Sequence, residues 1–71
     1  MKYYMVFDGR AILGNTDDAS VVECFGEMTR KKAIKEFKKC WFDYGNCLYE
    51  FDIDGQIVKN GRLIHHDHME G

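Results

Sequence analysis

The segment 29-TRKKAIKEFKKCWFDYG-45 carries the clearest secondary-structure signal in the chain. Thr29 is a favourable helix N-cap, and Gly45 suits the left-handed residue that ends a helix. Between them, apolar side chains recur with the spacing of one helical face. These side chains are Ala33, Ile34, Phe37, Cys40, Trp41 and Tyr44. The pattern predicts a helix over residues 30–44.

Strand patterns lie on both sides of this helix. Residues 2–7 and 20–25 are rich in branched and aromatic side chains, and a loop over residues 8–19 separates them. After the helix, residues 47–53 and 56–59 contain two further strand patterns, and residues 62–64 are a candidate extension of the sheet. The order predicts an α+β domain of ββαββ type, an antiparallel sheet of three or four strands with one helix packed on a face. We expect one domain over residues 1–71, with residues 65–71 as a flexible tail.

The last two strand patterns predict a hairpin. Asp54-Gly55 is a two-residue turn signal, and such a turn would pair Phe51 with Val58 and Glu50 with Lys59. The first pair is apolar and the second has opposite charges, as the two faces of a half-buried hairpin require. Asn60-Gly61 predicts a further turn or bulge.

Length and cysteine content limit the protein class. A chain of 71 residues buries a thin core, and no apolar run approaches the ~20 residues that span a bilayer. The three cysteines, Cys24, Cys40 and Cys47, are an odd number and fall at expected core positions. Because no secretion signal is visible, we interpret them as buried thiols of a cytoplasmic protein without membrane contact.

The small net charge of −2 hides a polarised distribution. Residues 30–39 hold six basic side chains and one acidic one, a net charge of +5, whereas the other 61 residues sum to −7. Cations at a helix N-terminus oppose the helix dipole, so helix stability does not explain Arg30, Lys31 and Lys32. The basic stretch is therefore either a solvated helix face or a face that meets an acidic protein or nucleic acid.

The acidic side chains form the opposite candidate surface. If the loops and the hairpin converge at one edge, they create a negative patch that could dock on a basic protein. Its members are Asp8, Asp17, Asp18, Glu50, Asp52 and Asp54. The segment 52–55 matches only a fragment of a calcium loop, since the later bidentate glutamate is absent.

The sequence offers little for catalysis. All three histidines lie in the run His65-His66-Asp67-His68, where adjacent ligands at a chain end rarely form a closed metal site. No nucleophile motif, phosphate loop or metalloprotease motif occurs. We therefore expect no enzyme activity, no catalytic residues, no cofactor and no bound metal.

Aromatic side chains are the candidate anchors of an interface. Trp41 has the helical phase of the core, whereas Phe42 lies off that stripe beside Asp43. Tyr4, if it points outward, would join Phe42, because aromatics are enriched at interface hot spots. An unpaired sheet edge would also allow a homodimer.

The chain resembles, in its organisation, small orphan proteins encoded by bacteriophages and prophages. The features that carry the resemblance are the opening MKYYMVFDG, the lysine-rich helix KKAIKEFKKCW and the closing hairpin LYEFDIDG. The resemblance implies an accessory protein that binds and inhibits or redirects a host factor, including a defence system. It implies no role for any individual residue.

The sequence as a whole predicts a small cytosolic protein-interaction module, an inhibitor or modulator that blocks a larger host protein. A charged surface with aromatic anchors would make the contact. The candidate partner-binding residues are Lys31, Lys35, Lys38, Lys39, Phe42, Tyr4, Asp17, Asp18, Glu50 and Asp52. The alternative is a nucleic-acid-binding protein that uses the basic helix at residues 30–39.

Overall fold

The computed structural model describes residues 1–39 and 46–66, and within them it confirms the ββαββ order. A short 3₁₀ turn, Gly9–Ala11, follows the first strand. The elements are β1 (Lys2–Phe7), β2 (Val21–Met28), α1 (Arg30–Lys39), β3 (Cys47–Asp54) and β4 (Ile57–His66).

The four strands form one antiparallel sheet in the order β2-β1-β3-β4. β1 is therefore central, although it comes first in the chain, and it pairs Tyr4 with Glu50 of β3. On its other side, β1 pairs Tyr4 with Gly26 of β2. The chain leaves β2 at one sheet edge and returns through α1 to β3, so that the helix lies across one side of the sheet.

The core between α1 and the sheet is small and well closed. Ala33 and Phe37 of the helix pack against Tyr4, Val6 and Leu48 of the two central strands. Partly buried side chains surround this cluster, namely Phe25, Met28, Ile34 and Ile64. Alternate residues of β1 thus point at the helix, as the period of a strand requires.

The opposite side of the sheet, which we term the open side, carries a second apolar cluster. Phe7, Cys47 and Tyr49 are buried there beneath the 3₁₀ turn, and the Tyr49 hydroxyl donates a 2.6 Å hydrogen bond to the Ala11 carbonyl. Met5, Ala19, Phe51 and Leu63 are partly buried against them. Both faces of β1 are apolar because both sides of the sheet hold a cluster.

The hairpin forms, but the predicted register is wrong by two residues. The turn residues are Gly55 and Gln56, and the pairs are Asp54 with Ile57, Ile53 with Val58 and Asp52 with Lys59. Gly55 has φ 64°, which suits the first central position of a tight hairpin turn. The shift of two residues keeps every side chain on its expected face.

The segment Asn60-Gly61 forms a β-bulge, which is one of the two alternatives that the sequence predicts. The pairing passes from Asp52–Lys59 to Glu50–Arg62, so two residues of β4 lie opposite Phe51. Asn60 adopts φ 57°, a conformation that asparagine tolerates better than most residues. A Cβ atom at Gly61 would overlap the Phe51 ring, which explains the glycine.

Several boundaries and burial expectations need correction. β2 extends to Met28 rather than Phe25, because Gly26 and Glu27 still pair with β1. Cys47 is buried as expected, but Cys24 lies exposed on an edge strand, so its assignment to the core is wrong. His65 and His66 belong to β4 and not to a tail. The predicted helix end, with Cys40, Trp41, Phe42, Tyr44 and Gly45, lies outside the described residues.

Candidate interaction surface

Helix α1 begins where the sequence predicts. The Thr29 side-chain oxygen accepts a 3.2 Å hydrogen bond from the Lys32 backbone N–H, and the Thr29 carbonyl accepts one from Ala33 at 3.0 Å. This cap satisfies one of the N–H groups that a helix start leaves without an intrahelical partner. The cap and the buried Ala33 and Phe37 together determine which side of the helix faces outward.

The outward side of α1 is a lysine surface, made of Lys31, Lys32, Lys35, Lys38 and Lys39. All five are exposed. Lys39 forms a 3.5 Å ion pair with Glu36, one helical turn away. The side chains of the other four form no ion pair within residues 1–39 and 46–66. Four positive charges are therefore available to a partner on one helix face.

Arg30 belongs to a different group of contacts. Its guanidinium donates two hydrogen bonds to the Glu50 carboxylate, Nε to Oε2 at 2.9 Å and Nη2 to Oε1 at 2.8 Å. This bidentate geometry ties the first turn of α1 to the centre of the sheet. The cation that opposes the helix dipole at this position is thus compensated by a specific carboxylate.

Glu50 is the buried centre of a polar network between the helix and the sheet. Only 1% of its surface is exposed. Besides Arg30, it accepts hydrogen bonds from the Tyr4 hydroxyl at 2.6 Å and from the Arg62 guanidinium at 2.7 and 3.1 Å. Every buried polar side-chain atom of the described residues has a hydrogen-bond partner. The charge is therefore well satisfied despite its burial.

The network shifts the pKa values of its members. The Arg30 guanidinium, with further help from Tyr4 and Arg62, lowers the pKa of Glu50 to about 2 against the opposing effect of desolvation. Burial and the adjacent Glu50 carboxylate raise the pKa of Tyr4 to about 12. Glu50 is thus ionised and Tyr4 neutral at every ordinary pH, which matches a structural rather than a proton-transferring role.

The expected acidic patch is largely neutralised by internal ion pairs. Asp52 contacts Lys2 at 2.6 Å and Arg62 at 3.3 Å, and it also accepts a hydrogen bond from Asn60. Asp8 contacts Arg10 at 2.7 Å, and Asp54 lies 3.8 Å from Lys59. The hydrogen bonds from Arg10 and Lys2 hold the pKa values of the Asp8 and Asp52 carboxyls well below their usual range.

Two members of the patch remain as surface charges. Asp17 and Asp18 are exposed in the loop between β1 and β2, and neither forms an ion pair with the described residues. The structure therefore separates the ten predicted contact residues into groups. The lysines and this loop pair stay at the surface, whereas Glu50 and Asp52 serve the fold.

The expectation that Tyr4 points outward is wrong. Tyr4 is completely buried, packed against the helix-side cluster with its hydroxyl on Glu50. Its neighbour Tyr3 has the outward position, and its hydroxyl lies 2.9 Å from the Cys24 sulfur. Glu50 is likewise unavailable to a partner because it is buried. Phe42, the other proposed anchor, lies outside the described residues.

Metal ligation finds no support in the described residues. In residues 1–39 and 46–66, no three His, Cys, Asp or Glu side chains lie close enough together to hold a metal ion. His65 instead packs edge-on against the Phe37 ring at a centroid distance of 5.5 Å. Asp67 and His68 of the histidine run lie outside the described residues.

The sequence pattern missed the roles of Arg30 and Arg62. They lie 20 and 12 residues from the carboxylate that they bind, so no local spacing indicates the contacts. The strand Leu48-Tyr49-Glu50-Phe51 does contain an indication, because the alternation of a strand places Glu50 on the same face as the apolar Leu48. A charge at such a position requires a buried partner.

Comparisons with known proteins do not assign the chain. No protein-family model, no curated protein and no solved structure matches it. Among the helices of residues 1–39 and 46–66, none has the length and apolar character needed to cross a membrane.

Proposed function

We propose that the chain is a small protein-interaction module that binds an acidic surface of a larger protein through the lysine surface of α1. The observation that carries the proposal is the contrast between the two charged surfaces. Lys31, Lys32, Lys35 and Lys38 are exposed without ion pairs in the described part of the chain, whereas most of the candidate carboxylates are engaged internally. Unpaired charges attract a partner at no cost in broken internal contacts.

A protein partner fits this surface better than nucleic acid does. The 61 residues outside the basic stretch sum to −7, which repels a polyanion that extends beyond the helix. Exposed Glu23 and Glu27 lie on β2, the strand that leads directly into α1. The lysine surface also contains no arginine, the side chain best shaped for bidentate phosphate contacts. A compact acidic protein patch can avoid the carboxylates of β2 more easily than a long duplex can.

The resemblance to phage-encoded accessory proteins favours an inhibitory role. A module of this size, docked by one helix face, acts by covering a site on its target or by displacing another ligand. The free thiols of Cys24 and Cys47 fit a reducing cytoplasm, where such a target would lie. We therefore propose a cytosolic inhibitor or modulator of a host protein.

The test is capture of a partner followed by a charge-reversal comparison. The immobilised chain is exposed to a nuclease-treated bacterial lysate, and the dominant retained protein is purified and bound again in isolation. The triple variant Lys31→Glu, Lys35→Glu and Lys38→Glu should lose that protein. The matched control reverses the exposed loop pair, Asp17→Lys with Asp18→Lys, and should retain it.

The outcome separates the proposal from its alternative. Binding should weaken as salt rises, because exposed charges are screened over a distance of about 10 Å at 0.1 M salt. Equal retention by the helix variant, or no specifically retained protein, would contradict the proposal. If the wild-type chain binds an oligonucleotide at low salt and the helix variant does not, nucleic-acid binding replaces it.

A further inference from the structure

Two arginine side chains share one buried carboxylate beside the start of α1. Arg30 Nη2 and Arg62 Nη2 donate to the same Glu50 oxygen, Oε1, at 2.8 and 2.7 Å, so the two guanidinium groups lie side by side. With the bonds from the Tyr4 hydroxyl, Arg30 Nε and Arg62 Nε, the carboxylate accepts five hydrogen bonds. A carboxylate offers about four lone-pair sites, so Glu50 has no capacity left for the remaining N–H groups of either arginine.

The two guanidinium groups keep donors that Glu50 does not use. Arg30 Nη1 forms no hydrogen bond within residues 1–39 and 46–66, whereas Arg62 Nη1 donates to the Asn60 carbonyl at 2.9 Å. The Arg30 and Arg62 side chains are 59% and 41% exposed, although the carboxylate between them is buried. A ligand oxygen can therefore reach the outer edge of the planar Arg30 guanidinium while Glu50 stays in place.

The charge of this group is not balanced internally. Ion pairs connect three cations with two carboxylates, namely Lys2, Arg30 and Arg62 with Glu50 and Asp52, which leaves one positive charge. One further carboxylate would balance this charge. A phosphate dianion, or a run of nucleic-acid phosphates, would exceed it and would also approach Asp52, which lies 3.3 Å from Arg62. The excess charge therefore favours a carboxylate as the ligand.

The arginine pair lies where a partner on the lysine surface would reach it. Arg62 is opposite Glu50 in the register and thus lies on the side of the sheet that carries α1, and Arg30 directly precedes Lys31. The exposed lysines lose side-chain freedom when they bind a partner. The two arginines are already held by Glu50, so that their ordering on binding costs less. Arginine is also enriched among the residues that contribute most to interface affinity.

We propose that Arg30 and Arg62 together bind a carboxylate side chain of the acidic partner at the edge of the lysine surface. This inference rests on the proposed function, because the partner is the one that the lysine surface attracts. The lysines accelerate association over a distance, whereas the arginine pair forms directed hydrogen bonds that slow dissociation. Glu50 is then a positioning residue for binding, since it holds both guanidinium groups in place.

Nuclear magnetic resonance of the unsubstituted chain tests this contact with a capped oligoglutamate peptide as the probe. The Nε–H signals of Arg30 and Arg62 should shift with the same concentration dependence as the backbone amides of α1. Arg10 is the internal control, because it pairs one-to-one with Asp8 at 2.7 Å, and its Nε–H signal should stay in place. A single-stranded oligonucleotide of equal charge is the second probe and should shift the signals of the pair less.

A conservative variant tests the guanidinium geometry separately from charge. Arg62→Lys keeps the charge but removes the planar fork, and it should lower the affinity for the peptide by about tenfold. Arg10→Lys is the matched control and should bind like the wild type. The backbone amide spectrum verifies that both variants are folded, and equal affinities of the two would overturn the inference.

The titrations distinguish this inference from the proposed function. If the α1 amides shift with the peptide while Arg30 and Arg62 do not, the arginine contact is wrong and the lysine surface still binds acidic groups. If no signal shifts, both are contradicted. Larger shifts of the two arginine signals with the oligonucleotide would overturn the carboxylate assignment in favour of phosphate.

Discussion

The Tyr4 hydroxyl donates a 2.6 Å hydrogen bond to the Glu50 carboxylate within the core between sheet and helix. The two residues are direct partners across β1 and β3, so the sheet register itself brings them together. Arg30 and Arg62 complete the environment from the helix and from β4. A single carboxylate thus connects three of the four strands and the start of the helix, which makes the network central to the fold.

Removal of the Tyr4 hydroxyl should destabilise the protein measurably. Tyr4→Phe leaves a buried carboxylate oxygen with one donor fewer, and a lost bond to a charged group costs about 1–3 kcal/mol. Tyr3→Phe is the matched control, because the hydrogen bond of that hydroxyl within the described residues is to the exposed Cys24 sulfur. Its effect should stay within about 0.5 kcal/mol. Urea unfolding of both variants measures the difference, and equal unfolding midpoints would contradict the role of Tyr4.

Neutralisation of Glu50 should also destabilise the fold. Glu50→Gln keeps the size of the side chain but removes the charge that both guanidinium groups contact, at a cost of about 1–3 kcal/mol. The cost stays moderate because Arg30 and Arg62 are themselves partly exposed and regain water. Glu23→Gln on the exposed edge strand serves as the control and should be nearly neutral. Denaturant unfolding that ranks the two variants equally would refute a stabilising network.

Acid should destabilise the protein through the same carboxylate. The pKa of Glu50 is about 2 in the folded chain, below its ordinary value of 4.5. Because the pKa is lowered on folding, ionised Glu50 stabilises the fold fully at a pH above its ordinary pKa. This stabilisation is lost as the pH falls toward the pKa in the folded chain. The denaturant concentration at the unfolding midpoint should therefore decline as the pH falls from about 4.5 to about 2. Glu50→Gln should show a shallower decline, and an identical slope would assign the acid sensitivity to Asp8 and Asp52 instead.

Local patterns were sufficient to predict the order of the elements, because each element carries its own signal. Helix α1 begins at Arg30 as predicted, since the Thr29 cap and the spacing of Ala33 and Phe37 are contained within one short segment. The hairpin was equally visible as two strand patterns around a glycine turn. Such features depend on neighbours within a few residues, which a single sequence displays directly.

The hairpin register could not be fixed from the same information. The expected pair Glu50–Lys59 and the observed pair Asp52–Lys59 both match opposite charges, and Val58 faces an apolar residue in either case. A shift of two residues leaves each side chain on the same face of the sheet, so the hydrophobic pattern fits both registers equally well. The bulge at Asn60-Gly61 then places Arg62 opposite Glu50.

The separation of surface charges from structural charges was also beyond the sequence. Tyr4 and Glu50 are 46 residues apart in the chain, and their contact exists only once β1 and β3 are neighbours. No local sequence pattern predicts that the first strand of the chain lies at the centre of the sheet. The assignment of Tyr4 and Glu50 to a binding surface failed for that reason, whereas the lysines of α1 face outward by helical phase alone.

Substitution of Gly61 should cost stability through a single aromatic ring. A methyl group at Gly61 would overlap the Phe51 side chain, and overpacking of this kind typically costs about 1–3 kcal/mol. In a double-mutant cycle, Gly61→Ala should be much less harmful in a Phe51→Leu background, because the smaller side chain leaves space. Urea unfolding of the four proteins gives the coupling energy. Additive effects of the two substitutions would show that Gly61 is required by the backbone of the bulge and not by the position of the Phe51 ring.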